Sequence, residues 1–152
     1  TLNREAAEQM SNLNKNVTIE TLNEKGKGFL PEFMGVEILE LKENFLTSRL
    51  AIKPYHIAPN GYLHAATVIT LADTTCGYAS FAHLPEGAES LTTIELKSNH
   101  LGTTTKGAIC CTATAQHLGK TTQVWDAVVT DEATGKKIAL FRCTQMILYP
   151  KK

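Results

Sequence analysis

The apolar positions change their spacing twice along the chain, and each change marks an element. Residues 2–24 are mostly polar, with Leu2, Ala6, Met10 and Leu13 recurring every three or four positions. That spacing predicts a surface helix docking one narrow stripe. Gly26-Lys27-Gly28 breaks it, and Phe29 to Gly35 reads as a short apolar turn packed on the sheet. The alternative is that Phe29, Phe33 and Met34 line one wall of a ligand pocket. From Val36 the period becomes two: Val36, Ile38, Leu39 and Leu41, a turn at Asn44, then Phe45, Leu46, Ser48, Leu50 and Ile52. This is a β-hairpin, stopped by Pro54.

The second change begins at Pro59-Asn60-Gly61. Residues Leu63 to Ala82 are almost all small or apolar, which predicts a helix that is apolar on every side and therefore buried. His83-Leu84-Pro85-Glu86-Gly87 closes it. Beyond that the alternation of two returns in Leu91–Lys97, Ala108–His117, Thr121–Asp131 and Lys137–Leu148, linked by short turns at 102–107, 118–120 and 132–136. Strands gathered around one long helix give an α+β fold, an antiparallel sheet with helices on one face. We read residues 1–28 as a helical lead-in to the same single domain whose body is 29–152. One sheet cannot cover a helix that is apolar all round, so a second copy of the chain is expected to cover the other side.

Composition narrows the function classes. The 152 residues carry 43% apolar and 20% charged side chains and a formal net charge of zero, so nothing points to nucleic acid or an anionic membrane. The run from Leu63 to Ala82 is long enough to raise a membrane-spanning reading, but Asp73 in its centre argues for a buried soluble helix. No apolar signal segment opens the chain. Cys76, Cys110, Cys111 and Cys143 show no zinc spacing and no Cys-x-x-Cys, and read as small reduced hydrophobes of a cytoplasmic protein. On a strand, the adjacent Cys110 and Cys111 point to opposite faces. The remaining histidines share no metal-ligand spacing, and there is no Gly-x-Ser-x-Gly elbow or Cys/His signature.

Asp73 is the chemical anomaly, because a carboxylate inside an apolar helix needs a partner or a task. The pattern Asn60-Gly61-x-x-His64-Ala65-Ala66-x6-Asp73 resembles the hotdog-fold acyl-CoA thioesterases, and among them the PaaI-like branch. Thr92-Thr93-Ile94-Glu95-Leu96, Gly102 to Gly107, Gly119-Lys120 and Gly135-Lys136-Lys137-Ile138-Ala139 are similar to later features of that family, so the likeness spans about residues 29–149. One departure is plain: Ala65 and Ala66 stand where the family usually has two glycines.

The resemblance implies a hotdog fold, a long central helix wrapped by an antiparallel sheet, paired into homodimers with shared sites and further into a dimer of dimers. It implies hydrolysis of an acyl- or aroyl-CoA to a carboxylic acid and free CoA, with no metal and no cofactor beyond the CoA of the substrate. In that scheme Asp73 is the nucleophile or general base and the Ala65 N–H the oxyanion donor. Gly61 shapes the turn before it, His64 orients the thioester or fixes the loop, and Asn60 either serves the Asn-Gly turn alone or polarises the carbonyl through its amide. Thr93 brings a hydroxyl towards the attacking water from the other subunit. Thr74 is a weaker site candidate, and Gly77 is read as close packing. Loop residues Asn99, His100, Gly102, Lys106 and Lys120 are the candidates for the CoA moiety. Two other readings remain: a non-catalytic acyl-CoA binding or sensing protein, and a hotdog hydratase or dehydratase. The last needs His64 to work with Asp73, which lies about 13 Å further along the same helix.

Overall fold

A computed structural model describes residues 11–152. Leu2, Ala6 and Met10 of the expected first helix lie outside the described residues. Residues 11–18 are not helical; helix α1 is confined to Ile19–Lys25, opened by a capping box between Thr18 and Thr21. The reason is local. Asn14 accepts from the Asn16 N–H (2.9 Å) through its side chain, a turn geometry that competes with helix, while its own N–H reaches the carbonyl of Ala82 (2.7 Å). The expected turn at Phe29–Gly35 is a short helix, α2 (Leu30–Met34), with Pro31 in its first turn and Gly35 ending it at φ 84°.

Then follow β1 (Val36–Lys42), β2 (Phe45–Ala51), helix α3 (Ala65–Ala82), β3 (Ser90–His100), β4 (Ala108–Leu118), β5 (Thr122–Asp131) and β6 (Lys137–Leu148). The six strands form one antiparallel sheet in the order β1-β2-β4-β5-β6-β3. The sheet curls around α3, which supplies Val68, Leu71, Ala72, Cys76 and Ala79 to a core shared with Leu46, Leu50, Ile109, Ala113, Trp125, Val129 and Ile138. This is the hotdog architecture. No helix among the described residues is long and apolar enough to cross a membrane.

Small residues on α3 face the sheet, and of the polar groups carried inward Thr75 is paired, whereas the buried Ser80 hydroxyl has no hydrogen-bond partner among the described residues. Ser48 and Thr75 hydroxyls meet at 2.6 Å, and Thr75 donates to the Leu71 carbonyl one turn back. At the end of α3 the buried His83 ring bonds the Ala79 carbonyl and accepts the Asn44 N–H, so its proton sits on Nδ1. Burial lowers the His83 pKa, which keeps that neutral form. All four cysteines are free thiols. Cys111 faces the core, and its neighbour Cys110 faces the other way, towards Glu132.

The two sheet edges differ. At β1 the Asn23 side chain from α1 accepts the Ile38 N–H (2.8 Å) and donates to the Ile38 carbonyl (3.2 Å), occupying the edge as a further strand would. At the other edge β3 pairs only with β6 and carries the exposed Ile94 and Leu96. On α3, the side turned from the sheet (Ile69, Asp73, Thr74, Gly77, Tyr78, Phe81) is half-buried rather than covered.

Candidate active site

The segment before α3 is built to present the helix start. Ile57 and Leu63 form an isolated bridge, Ala58 N–H bonds the Tyr62 carbonyl (2.7 Å), and Gly61 turns the chain at φ 87°. That left-handed conformation is easy only for glycine. Asn60 closes the turn by accepting the Tyr62 N–H through Oδ1 (3.1 Å). Beneath lies buried His56, whose carbonyl accepts from His64 N–H (3.0 Å) and from the Thr67 hydroxyl (3.0 Å). Burial lowers the His56 pKa, and its Nδ1 accepts the Lys53 N–H.

His64 is the N-cap of α3. Its exposed ring accepts the Ala66 N–H at Nδ1 (2.9 Å), which leaves the ring proton on Nε2. Thr67 and Val68 N–H groups bond the His64 carbonyl. Of the helix's first amides, that leaves Ala65 N–H without an acceptor among the described residues, at the positive end of an 18-residue helix. Thr103 accepts the Leu63 N–H (3.1 Å) and so fastens the 101–107 loop beside this helix start.

Asp73 lies eight residues further along α3, at the bottom of a cleft of about 390 Å³. The cleft is walled by Thr74, Gly77, Tyr78 and Phe81 of α3, by Lys25 and Pro31, and by residues 89–93 entering β3. Lys25 stands over the Phe81 ring, 4.2 Å from its centroid. Burial raises the Asp73 pKa, and the Thr93 hydroxyl, donating to Oδ1 at 3.1 Å, opposes part of that rise. Burial also raises the Tyr78 pKa.

Several expectations shift. The Thr93 hydroxyl meets Asp73 within its own chain. Within the chain Gly77 is not closely packed: a Cβ there would meet nothing within 4 Å, because Gly77 faces the cleft one turn beyond Asp73. Met34 packs on the core as expected, but Phe29, before α2, and Phe33, within it, are each 69% exposed. Asn99 and His100 are the last residues of β3 and not a loop. Asn99 pairs with Leu140 on the outer face, with Lys97 and Arg142, whereas His100 pairs with Ala139 on the inner face. Gly102 and Lys106 belong to the loop held at the start of α3. Lys120 lies by His83, at the other end of that helix. The five residues do not converge within one chain. Among the described residues, no cluster of His, Cys, Asp or Glu has the geometry to hold a metal.

The sequence reading missed Gln145. It lies fully buried on β6 opposite Thr93, and its amide nitrogen is 2.9 Å from the Thr93 hydroxyl. Tyr78, Phe81 and Lys25 were also unmarked, because only the fold turns them towards Asp73.

A family model for the thioesterase superfamily matches residues 60–138, which contain the helix start, Asp73 and Thr93. A 1,4-dihydroxy-2-naphthoyl-CoA hydrolase of Listeria monocytogenes serotype 1/2a (strain 10403S) is 32% identical over 81% of this chain and 98% of its own. A mutant of the thioesterase PA1618 from Pseudomonas aeruginosa superposes with a TM-score of 0.85 at 26% identity, covering 91% of this chain and 99% of the other. The PaaI protein of E. coli shares the fold, with a TM-score of 0.70 at 22% identity over 78% of this chain and 83% of its own. The chain belongs to the thioesterase superfamily, as a thioester hydrolase with a PaaI-like hotdog fold.

Proposed function

We propose that the protein hydrolyses an acyl- or aroyl-CoA to the carboxylic acid and free CoA, in sites shared by two copies of the chain. The observation that carries this reading is the separation of two half-sites on α3. Ala65 N–H and Asp73 are eight residues apart, about 12 Å along the helix axis. An attacking group must come within about 3.5 Å of the carbonyl carbon, and an oxyanion donor within about 3 Å of its oxygen. One chain cannot bring both to one thioester. Two chains with α3 helices side by side and antiparallel can, each facing its Asp73 to the other's helix start.

The edges of the sheet support the same pairing. β1 is occupied by Asn23, whereas β3 is open, eleven residues long and apolar at Ile94 and Leu96. Joining β3 to β3 of a second copy continues the sheet and covers the half-buried side of α3.

Asp73 then attacks the thioester carbon, or takes a proton from the water that does, and the Ala65 N–H receives the negative charge on oxygen. The raised Asp73 pKa suits a base, because desolvation makes the ionised carboxylate more basic than one in water. Thr93 orients the carboxylate. The aromatic walls Tyr78 and Phe81, together with the relative named as a 1,4-dihydroxy-2-naphthoyl-CoA hydrolase, favour an aroyl group in the cleft. His100, Gly102 and Lys106 are assigned to the CoA end, with Lys120 able to contribute only from the partner chain.

The test is release of free CoA thiol from short-chain, medium-chain and aromatic acyl-CoAs by wild type and Asp73→Ala. A loss of several orders of magnitude in a variant that stays folded and oligomeric supports the reading and ranks the acyl groups. Wild-type protein that binds acyl-CoA but turns over none of the panel would overturn it in favour of a binding protein.

A further inference from the structure

We propose that Gln145 is a positioning residue for this reaction: its buried amide holds the Thr93 hydroxyl so that the hydroxyl's single proton is directed to Asp73. The inference deepens the thioesterase reading above and rests on it. Thr93 Oγ1 has two acceptors in reach, Asp73 Oδ1 and Gln145 Oε1, each at 3.1 Å. A hydroxyl carries one proton and serves one of them fully. Gln145 Nε2 is nearer than either, at 2.9 Å, and donates into a lone pair of the same oxygen. The amide's remaining N–H points to Cys143 Sγ at 3.4 Å, which fixes the amide's orientation. With the Gln145 N–H supplying one bond, the Thr93 proton goes to the carboxylate, the stronger acceptor when ionised.

The fold places this chain of donors deliberately. Thr93 and Gln145 are cross-strand partners on the inner face, and the ladder is interrupted immediately afterwards by a bulge between Thr93 and Glu95. A bulge re-aims the side chains beside it. Gln145 is fully buried and is linked to Asp73 by the hydrogen bonds of Thr93. Its consequence for the reaction is geometric: with Oδ1 held by Thr93, the carboxylate is fixed in rotation and Oδ2 is left for the substrate or water.

The experiment is a double-substitution cycle on the full chain, combining Gln145→Met with Thr93→Val, with kcat and KM measured across pH on the acyl-CoA that wild type turns over. Gln145→Met removes the donor while keeping length and volume, and is expected to lower kcat about tenfold with KM little changed. It should also move the acidic limb of the profile to higher pH, because the Thr93 hydroxyl, no longer anchored by the Gln145 N–H, is not held with its proton on Asp73, the bond that favours the ionised carboxylate. In the Thr93→Val background Gln145→Met should have no further effect, since Gln145 acts through that hydroxyl. A merely structural glutamine would lower stability, add its effect to that of Thr93→Val and leave the limb in place, and this result would overturn the proposal. If Gln145→Met does not fold, Thr93→Ser restores the hydroxyl on a wild-type Gln145 and must recover the wild-type limb that Thr93→Val loses; failure to recover it also overturns the proposal. Titration of the Asp73 carboxyl by NMR in wild type and Gln145→Met separates the two readings. A wild-type protein without turnover sinks the thioesterase reading and with it the role in the reaction, whereas no shift in an active enzyme sinks the positioning role alone.

Discussion

Ala65→Pro is the substitution that isolates the oxyanion donor. Ala65 is the first residue of α3, a position where proline is favoured, and its N–H has no acceptor among the described residues. His64 before it is extended, at φ −64° and ψ 133°, as a residue preceding proline must be. The substitution therefore deletes one donor while leaving the helix, its His64 cap and the core unchanged. Loss of one oxyanion-hole donor costs roughly a hundredfold to a thousandfold in kcat, about 3–4 kcal/mol of transition-state stabilisation. Thermal unfolding should stay within about 0.5 kcal/mol of wild type, as for a surface change away from packing. The decisive assay mixes Ala65→Pro with Asp73→Asn in equal amounts under conditions that let subunits exchange. Each is nearly inactive alone. In a shared-site dimer, half of the molecules are mixed and one of the two sites in each is intact, so about a quarter of wild-type turnover returns. A mixture that stays as inactive as its parts, with exchange verified by mass, refutes the shared site. Full activity in Ala65→Pro alone refutes the donor.

Asp73→Asn should lower kcat by about a hundredfold to ten-thousandfold as a lost catalytic base, yet raise stability at neutral pH. The sign follows from burial, which raises the Asp73 pKa in the folded state. The native protein then holds the proton more tightly than the unfolded chain, so ionised Asp73 opposes folding at neutral pH, and the advantage of asparagine disappears as pH falls below the ordinary carboxylate range; urea unfolding at several pH values measures it. Asn23→Ala strips both edge bonds from Ile38 and should cost about 1–3 kcal/mol in denaturant unfolding, without changing kcat. Gly77→Leu should raise KM for aroyl-CoA more than for acetyl-CoA, because the side chain fills the cleft beside Asp73 from a position where its Cβ meets nothing within its own chain; equal KM effects on both substrates would show that the cleft does not hold the acyl group.

The helix and its carboxylate were legible because their causes are local. Twenty small or apolar residues after an Asn-Gly turn read as a helix apolar all round, and Asp73, which stands out in it by charge alone, made it a buried one. The strands were legible by period, but their ends were not: alternation fades at Ser98-Asn99-His100, and only pairing with Leu140 and Ala139 keeps those residues in β3. The N-terminal helix was overdrawn because the three-and-four spacing of Leu13 took no account of Asn14, whose side chain takes the Asn16 N–H from the helix ladder.

What the sequence determined by itself, then, is an α+β chain organised around one apolar helix with a single carboxylate in it, since periodicity and charge act over a few residues. Tertiary structure alone decided what surrounds that carboxylate. Thr93 and Gln145 are 52 residues apart and meet only because β3 crosses to pair with the last strand. Gly77 looked like a packing glycine because an apolar helix normally has neighbours on that side; here that side opens on the cleft. The lysines of the loops looked equivalent until the length of α3 put Lys106 near one end and Lys120 at the other. Contacts of this kind depend on strand order and register, which are set by burial summed over the whole sheet and leave no mark on any short stretch of residues.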